Sequence, residues 1–112
     1  MNFNSYQEKC AKFKKYPDKD DLQALVYCVL ALGGEAGELQ NKVKKLMRGD
    51  KSLSAEVRQD LLNELGDVLW YVAMTAYELG CPLNMVADMN IKKLQSRLDR
   101  ETLQGDGDGD DR

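Results

Sequence analysis

Apolar positions recur at steps of three and four along nearly the whole chain, the spacing of one helix face. No sustained two-residue alternation marks a strand, and no internal repeat is present. A first helix is expected over about 5–15, with Asn4 as N-cap, Pro17 in the turn beyond it, and Tyr6, Cys10 and Phe13 on its apolar side. A second should start after Asp20 or Asp21 and run to about Met47. Its stripe is Leu22, Leu25, Val29, Leu32, Ala36, Leu39, Val43 and Leu46. Gly33 and Gly34 interrupt it, and mid-helix glycine costs about 1 kcal/mol relative to alanine, so a kink or a close backbone approach is expected there. Gly49 reads as the stop.

Ser54 should cap a third helix over about 55–79, whose stripe is Val57, Leu61, Leu65, Val68, Val72, Ala76 and Leu79. Gly80 ends it and Pro82 cannot continue it. A fourth, over about 83–103, would turn Leu83, Ala87, Ile91, Leu94 and Leu98 inward. The expected fold is therefore all-α, an antiparallel four-helix bundle formed by one domain over 1–103, with a flexible Gly/Asp-rich tail over 104–112. Helices this long leave wide faces with few neighbours, so a homo-oligomer, dimer or tetramer, is expected to cover them.

Composition narrows the chemistry. The 112 residues suffice for one modest core. The formal charge of −3 supplies no global basic field for a nucleic-acid polymer or an anionic membrane. Histidine is absent, which excludes a Ser-His-Asp triad and imidazole-ligated zinc. Cys10, Cys28 and Cys81 are odd in number and widely spaced, which fits a reducing cytoplasm better than a disulfide framework. The N-terminal stretch has no apolar run of signal-peptide type, and no stretch was expected to approach the ~20 apolar residues of a membrane span.

The informative polar feature is a pair of acid pairs. Glu35 and Glu38 stand three apart on the second helix, Glu64 and Asp67 three apart on the third. Such neighbours share a face, with Cβ atoms ~5–6 Å apart, so both carboxylates of a pair can reach one or two hard cations. All four lie on the shoulder of their apolar stripes, where antiparallel helices could aim them at one point. Gly37 and Gly66 fall inside the pairs, where the missing side chain would let a helix or a ligand come close. Oxygen donors alone suit Mg²⁺, with Mn²⁺ as a substitute. Set against this, acids three apart are common on solvated helix faces, and Glu38 with Lys42 makes an ordinary i,i+4 ion pair.

Glu35-x-x-Glu38 followed after 25 residues by Glu64-x-x-Asp67 resembles the signature of the MazG-type all-alpha nucleoside triphosphate pyrophosphohydrolases. The flanking stretches LGGEAGELQNKVKK and LLNELGDVLWYVA, and the later run Asn90-Ile91-Lys92-Lys93-Leu94-Gln95-Ser96-Arg97, are similar to that family too. The Gly-Asp tail resembles its short single-domain subgroup, with a departure at Arg100-Glu101, where Arg-Gly is the pattern. The resemblance implies Mg²⁺-dependent hydrolysis of a (deoxy)nucleoside triphosphate to monophosphate and pyrophosphate, the work of an enzyme that removes non-canonical or surplus nucleotides. It implies Glu35, Glu38, Glu64 and Asp67 as metal ligands, with one of them, Glu38 or Glu64, acting instead as base toward water. Lys93 and Arg97 become phosphate contacts. Phosphoribosyl-ATP pyrophosphatase is the alternative within the superfamily, and a non-catalytic helical oligomerisation module the alternative outside it.

Lys93 and Arg97 are four apart on one helix face, with Asn90 beside them. They read either as a phosphate fork or as a solvated basic face near a helix C-terminus. Lys42 shares the Glu35/Glu38 face and would touch a phosphate or pair with Glu38. Tyr71, one turn beyond Asp67, could line the same pocket; Trp70 is expected to pack, including at a subunit contact. Phe3, Tyr6 and Gln7 could contact a base or simply pack. Met47, Met74, Met85 and Met89 read as core and gap fillers. The tail, with Asp106, Asp108, Asp110 and a terminal Arg112, reads as an acidic disordered end or as a lid. It lacks the glycine and twelfth-position glutamate of a calcium loop.

Overall fold

The computed structural model describes residues 1–104, and the expectations for the tail fall outside them. Four helices follow in order: α1 (Phe3–Ala11), α2 (Asp21–Met47), α3 (Ala55–Glu78) and α4 (Leu83–Gln104). Local capping chemistry sets most of the ends. Asp20 Oδ1 accepts from Gln23 N at 2.8 Å at the start of α2, and Ser54 Oγ accepts from Val57 N at 3.2 Å at the start of α3. Gly49 (φ +84°) and Gly80 (φ +70°) take the left-handed conformation that ends α2 and α3. Beyond each, a backbone N–H returns to the carbonyl five residues back, Asp50 to Lys45 at 3.0 Å and Cys81 to Ala76 at 2.9 Å.

The first helix departs from expectation at both ends. Asn2 rather than Asn4 is its N-cap, exchanging bonds with Ser5 (Ser5 N to Asn2 Oδ1, 2.9 Å; Asn2 N to Ser5 Oγ, 3.0 Å). Asn4 instead accepts from Asn84 N at 2.9 Å and so caps α4. The helix stops at Ala11, not Lys15, because Tyr16 folds back into the core. The Tyr16 ring stacks on Tyr27 at 5.9 Å and meets Trp70 edge-on at 6.2 Å, and its hydroxyl donates to Glu78. Phe13, expected on the apolar side, is exposed.

Only α2 and α3 form an extended pair, and they run antiparallel: Lys42 lies against Asp60, Glu35 against Asp67. The α1 helix packs on α3, and α4 packs on α1 and α3. Among the described residues α2 and α4 do not pack on each other, so the single chain is all-α but not a closed bundle. Its Cα radius of gyration, 17.5 Å, exceeds the ~13 Å of a compact domain of this size. The core is small and sits at one end of the hairpin, around Cys10, Tyr16, Ala24, Cys28, Ala73, Met74, Ala76 and Leu83. Among the four methionines expected as fillers only Met74 is buried; Met47, Met85 and Met89 are exposed.

Gly33 and Gly34 neither kink α2 nor admit a close neighbour: the helix is continuous, and a Cβ at either would meet nothing within 4 Å. The expected stripes are covered only in part. Leu22 and Val29 on α2, Leu65 on α3, and Ile91, Leu94 and Leu98 on α4 are all exposed. Contrary to the expectation that no stretch is apolar enough to span a membrane, α2 is so by length and composition alone. Leucines and valines, gathered mostly in the run from Leu25 to Leu32, make up most of that apolar character.

Candidate functional site

The hairpin brings the acids together about two turns beyond the buried core. Carboxylate oxygens of Glu35, Glu64 and Asp67 all lie within 4.8 Å of one another. Spacing accounts for this: positions 60, 64, 67 and 71 of α3 follow one helix face, and positions 35, 38 and 42 of α2 face them in the opposite direction. Glu35 and Glu64 are half-buried and Asp67 is exposed. Burial raises the Glu35 pKa above the ordinary carboxylate value, and the negative charges of Asp67, Glu64 and Glu38 raise it further. Glu38 is thus close enough to act on Glu35, but it is exposed and stands outside the triple.

Lys42 Nζ donates to Asp60 Oδ1 and to Glu64 Oε1, each at 2.8 Å. Its partners are therefore across the hairpin, not Glu38 on its own helix. The two bonds, Asp60 first and Glu64 second, hold its pKa above the ordinary lysine value. Asp60 escaped the sequence reading, which sought acids three apart; its signal was the i,i+4 spacing to Glu64.

Tyr71 lines the core-ward side of the cluster. Burial raises its pKa, and the neighbouring Tyr27 and Glu35 add to the effect. Trp70 packs edge-on against Tyr71 at 4.9 Å and lies against the core. Tyr6 approaches from α1, its pKa pushed up to about 12 by burial, by contact with the Cys10 thiol and by the charge of Asp67. Beside it, Phe3, Tyr6, Leu69 and the first two residues border a cavity of about 510 Å³, within the ~300–1,000 Å³ range of small-ligand pockets. Gln7 has no part in that cavity. It is buried, its Nε2 donates to Ala73 O (3.2 Å) and Cys81 O (3.0 Å), and its Oε1 accepts from Leu83 N (3.1 Å). Its role is to tie three helices, not to read a base.

Lys93 of α4 is not gathered here. Asn90 and Lys93 border a separate cavity of about 430 Å³ with Ala76, Leu79 and Met89, at the far end of α3. Ala76 lies nine residues from Asp67, roughly 14 Å along the helix axis. Lys93 and Arg97 are half-buried while the apolar Leu94 and Leu98 are exposed, the reverse of the expected orientation. Within one chain the acid cluster belongs to α2 and α3 and is approached by α1.

An all-oxygen donor set from three carboxylates, with a fourth acid adjacent, has the chemistry of a hard divalent cation site. Like charges this close are mutually repulsive without such a partner. Residues 23–100 match the MazG nucleotide pyrophosphohydrolase domain, a span that includes both acid pairs, Lys42, Asn90, Lys93 and Arg97 and leaves out α1. The chain is also similar to the Gene 37 protein of Mycobacterium phage L5, with 46% identity over 112 residues, covering 96% of this chain and 98% of that protein. No solved structure matches.

Proposed function

The chain belongs to the MazG nucleotide pyrophosphohydrolase family, and from that premise we propose a Mg²⁺-dependent enzyme that converts (deoxy)nucleoside triphosphates to monophosphates and pyrophosphate, removing surplus or non-canonical deoxynucleotides. The observation that carries this reading is the convergence of Glu35, Glu64 and Asp67 from two helices to within 4.8 Å. A cation held by these three would neutralise phosphate oxygens and acidify a water for attack on the α-phosphorus. Glu38, outside the triple on the same face, would take the proton from that water; Glu64 is the alternative base. Lys42 is the phosphate contact on the hairpin itself. Tyr71 walls the core-ward side, and the Phe3/Tyr6 cavity offers an apolar surface to a base.

Asn90, Lys93 and Arg97 complete the site from a second copy. Two observations support this: within one chain Asn90 and Lys93 lie at the far end of α3 from the acids, and apolar faces of α2 and α4 are exposed. Mixing Asp67→Asn with Lys93→Met chains, each weak alone, is expected to restore turnover in mixed oligomers. The free state of all three cysteines supports a cytoplasmic setting.

The deciding experiment is release of pyrophosphate, as opposed to orthophosphate, from a panel of dNTPs, NTPs and phosphoribosyl-ATP with Mg²⁺. Glu38→Gln and Asp67→Asn should abolish it while circular dichroism shows the helices intact. Unchanged turnover in both variants would refute the assignment.

A further inference from the structure

The ammonium of Lys42 occupies a particular place. It sits on Glu64, one of the three converging carboxylates, and on Asp60, which lies one turn farther out and more exposed (side-chain exposure 16% for Glu64, 50% for Asp60). Both distances are 2.8 Å, so neither partner has sole hold of it. It thus pairs directly with a member of the acid cluster. A primary ammonium is a compact charge on a flexible stem and can change partners without backbone movement.

We propose that Lys42 is a resident counter-ion that exchanges with the divalent cation: it neutralises Glu64 in the metal-free protein, withdraws onto Asp60 when a cation takes the Glu64 carboxylate, and is thereby presented to the triphosphate. Asp60 is the positioning residue that draws the ammonium to the rim. This inference rests on the reading of the acid cluster as a metal centre.

Charge arithmetic sets the signs. Glu35, Glu64 and Asp67 with Lys42 sum to −2, and adding Asp60 gives −3. Removing the lysine makes the site more attractive to a dication and less comfortable without one. Removing the Asp60 charge leaves the ammonium to Glu64 alone and makes the site less attractive. A purely structural lysine would behave differently, because its loss would loosen the hairpin and weaken cation binding as well.

The test uses Mn²⁺ alone, titrated into the metal-free full-length protein and followed by paramagnetic resonance of the unbound ion. Lys42→Met should bind Mn²⁺ about tenfold more tightly than the wild type, the order of effect a neighbouring unit charge has on a carboxylate. Asp60→Asn should bind severalfold more weakly, and Lys42→Arg should behave like the wild type. In steady-state assays Lys42→Met should raise the KM for dNTP more than it lowers kcat. If Lys42→Met fails to fold, Lys42→Gln and Asp60→Asn carry the same opposed signs. Equal or weaker Mn²⁺ binding by Lys42→Met and Lys42→Gln overturns the exchange while leaving the metal centre standing. Absence of Mn²⁺ binding by the wild type overturns both.

Discussion

At Gln7 each amide heavy atom has a backbone partner, whereas at Glu35, Glu64 and Asp67 three like charges face one another with one lysine at their edge. Both clusters draw on α3 and lie within a few turns of each other, so the difference is not one of location. Gln7 is buried among apolar side chains, and a buried amide left unbonded would cost about 1–3 kcal/mol. Its three bonds tie α1 to α3 and to the start of α4. The acids sit where water still reaches, so the chain tolerates their repulsion without cancelling it. A polar group whose partners all come from its own chain serves the fold. A cluster whose charges exceed its partners is kept for something that arrives from outside.

The sharpest break between the two is a pair of substitutions with opposite signatures. Asp67→Asn should lower kcat by ~100-fold or more, since cation-mediated stabilisation is worth several kcal/mol and each 1.4 kcal/mol is a factor of ten. In the same variant the metal-free protein should unfold at a temperature no lower than the wild type, because a repulsive charge next to Glu35 is gone. Gln7→Ala should do the converse. It leaves Ala73 O, Cys81 O and Leu83 N without their partner and opens a void, a loss of about 2–4 kcal/mol in urea titration. Turnover per folded molecule should stay the same. A stability loss in Asp67→Asn as large as that in Gln7→Ala would erase the distinction.

The acids were legible in the sequence for the same reason that α2 and α3 were: both depend on spacing within neighbouring helices joined by a short loop. Three-apart acids on consecutive antiparallel helices have few ways to miss each other once the apolar stripes pack. What was not legible depends on choices made in three dimensions. Asn2 and Asn4 are equally good caps by composition, and only the docking of α4 assigns Asn4 to Asn84. Lys42 has Glu38 one turn away, but reaching across the hairpin gives it two carboxylates in place of one. In α4 the period identifies an apolar face correctly, yet periodicity carries no information about which surface covers it. Leu94 and Leu98 face away from the chain's own core, and Lys93 lies beside the end of α3. Helix identity is local, while the rotation of a helix about its axis is decided by whatever it packs on.

Alkaline titration probes the boundary between the two clusters, because Tyr6 lies between α1 and Asp67. Its pKa is raised from 10.0 to about 12, chiefly by burial. Burial also raises Tyr16, helped by its bond to Glu78. The folded state therefore favours the neutral phenols. Their contribution to stability is full below pH 10, where the unfolded chain begins to ionise, and is lost as pH climbs toward and past 12. Tyrosinate absorbance should accordingly rise late, together with unfolding, and Tyr6→Phe should make the loss of stability above pH 10 shallower. Asp67→Asn should shift the Tyr6 titration slightly downward; a titration indifferent to Asp67 would separate α1 from the site.

The smallest effect tests whether the space over the acids is used. Gly66 lies between Glu64 and Asp67 in sequence, in helical backbone, and a Cβ there would meet nothing within 4 Å. By backbone entropy alone Gly66→Ala should stabilise the chain by about 1 kcal/mol. Gly33→Ala on α2 has equally open surroundings and should stabilise to a similar degree. Turnover should part them: Gly33→Ala keeps it, whereas Gly66→Ala loses severalfold, because a methyl beside the acid pair intrudes on the surface where the oligophosphate or a second copy approaches. If Gly66→Ala gains the stability and keeps full turnover, the glycine is an accident of the helix, and the unsatisfied charge of the acids alone distinguishes this face from the rest of α3.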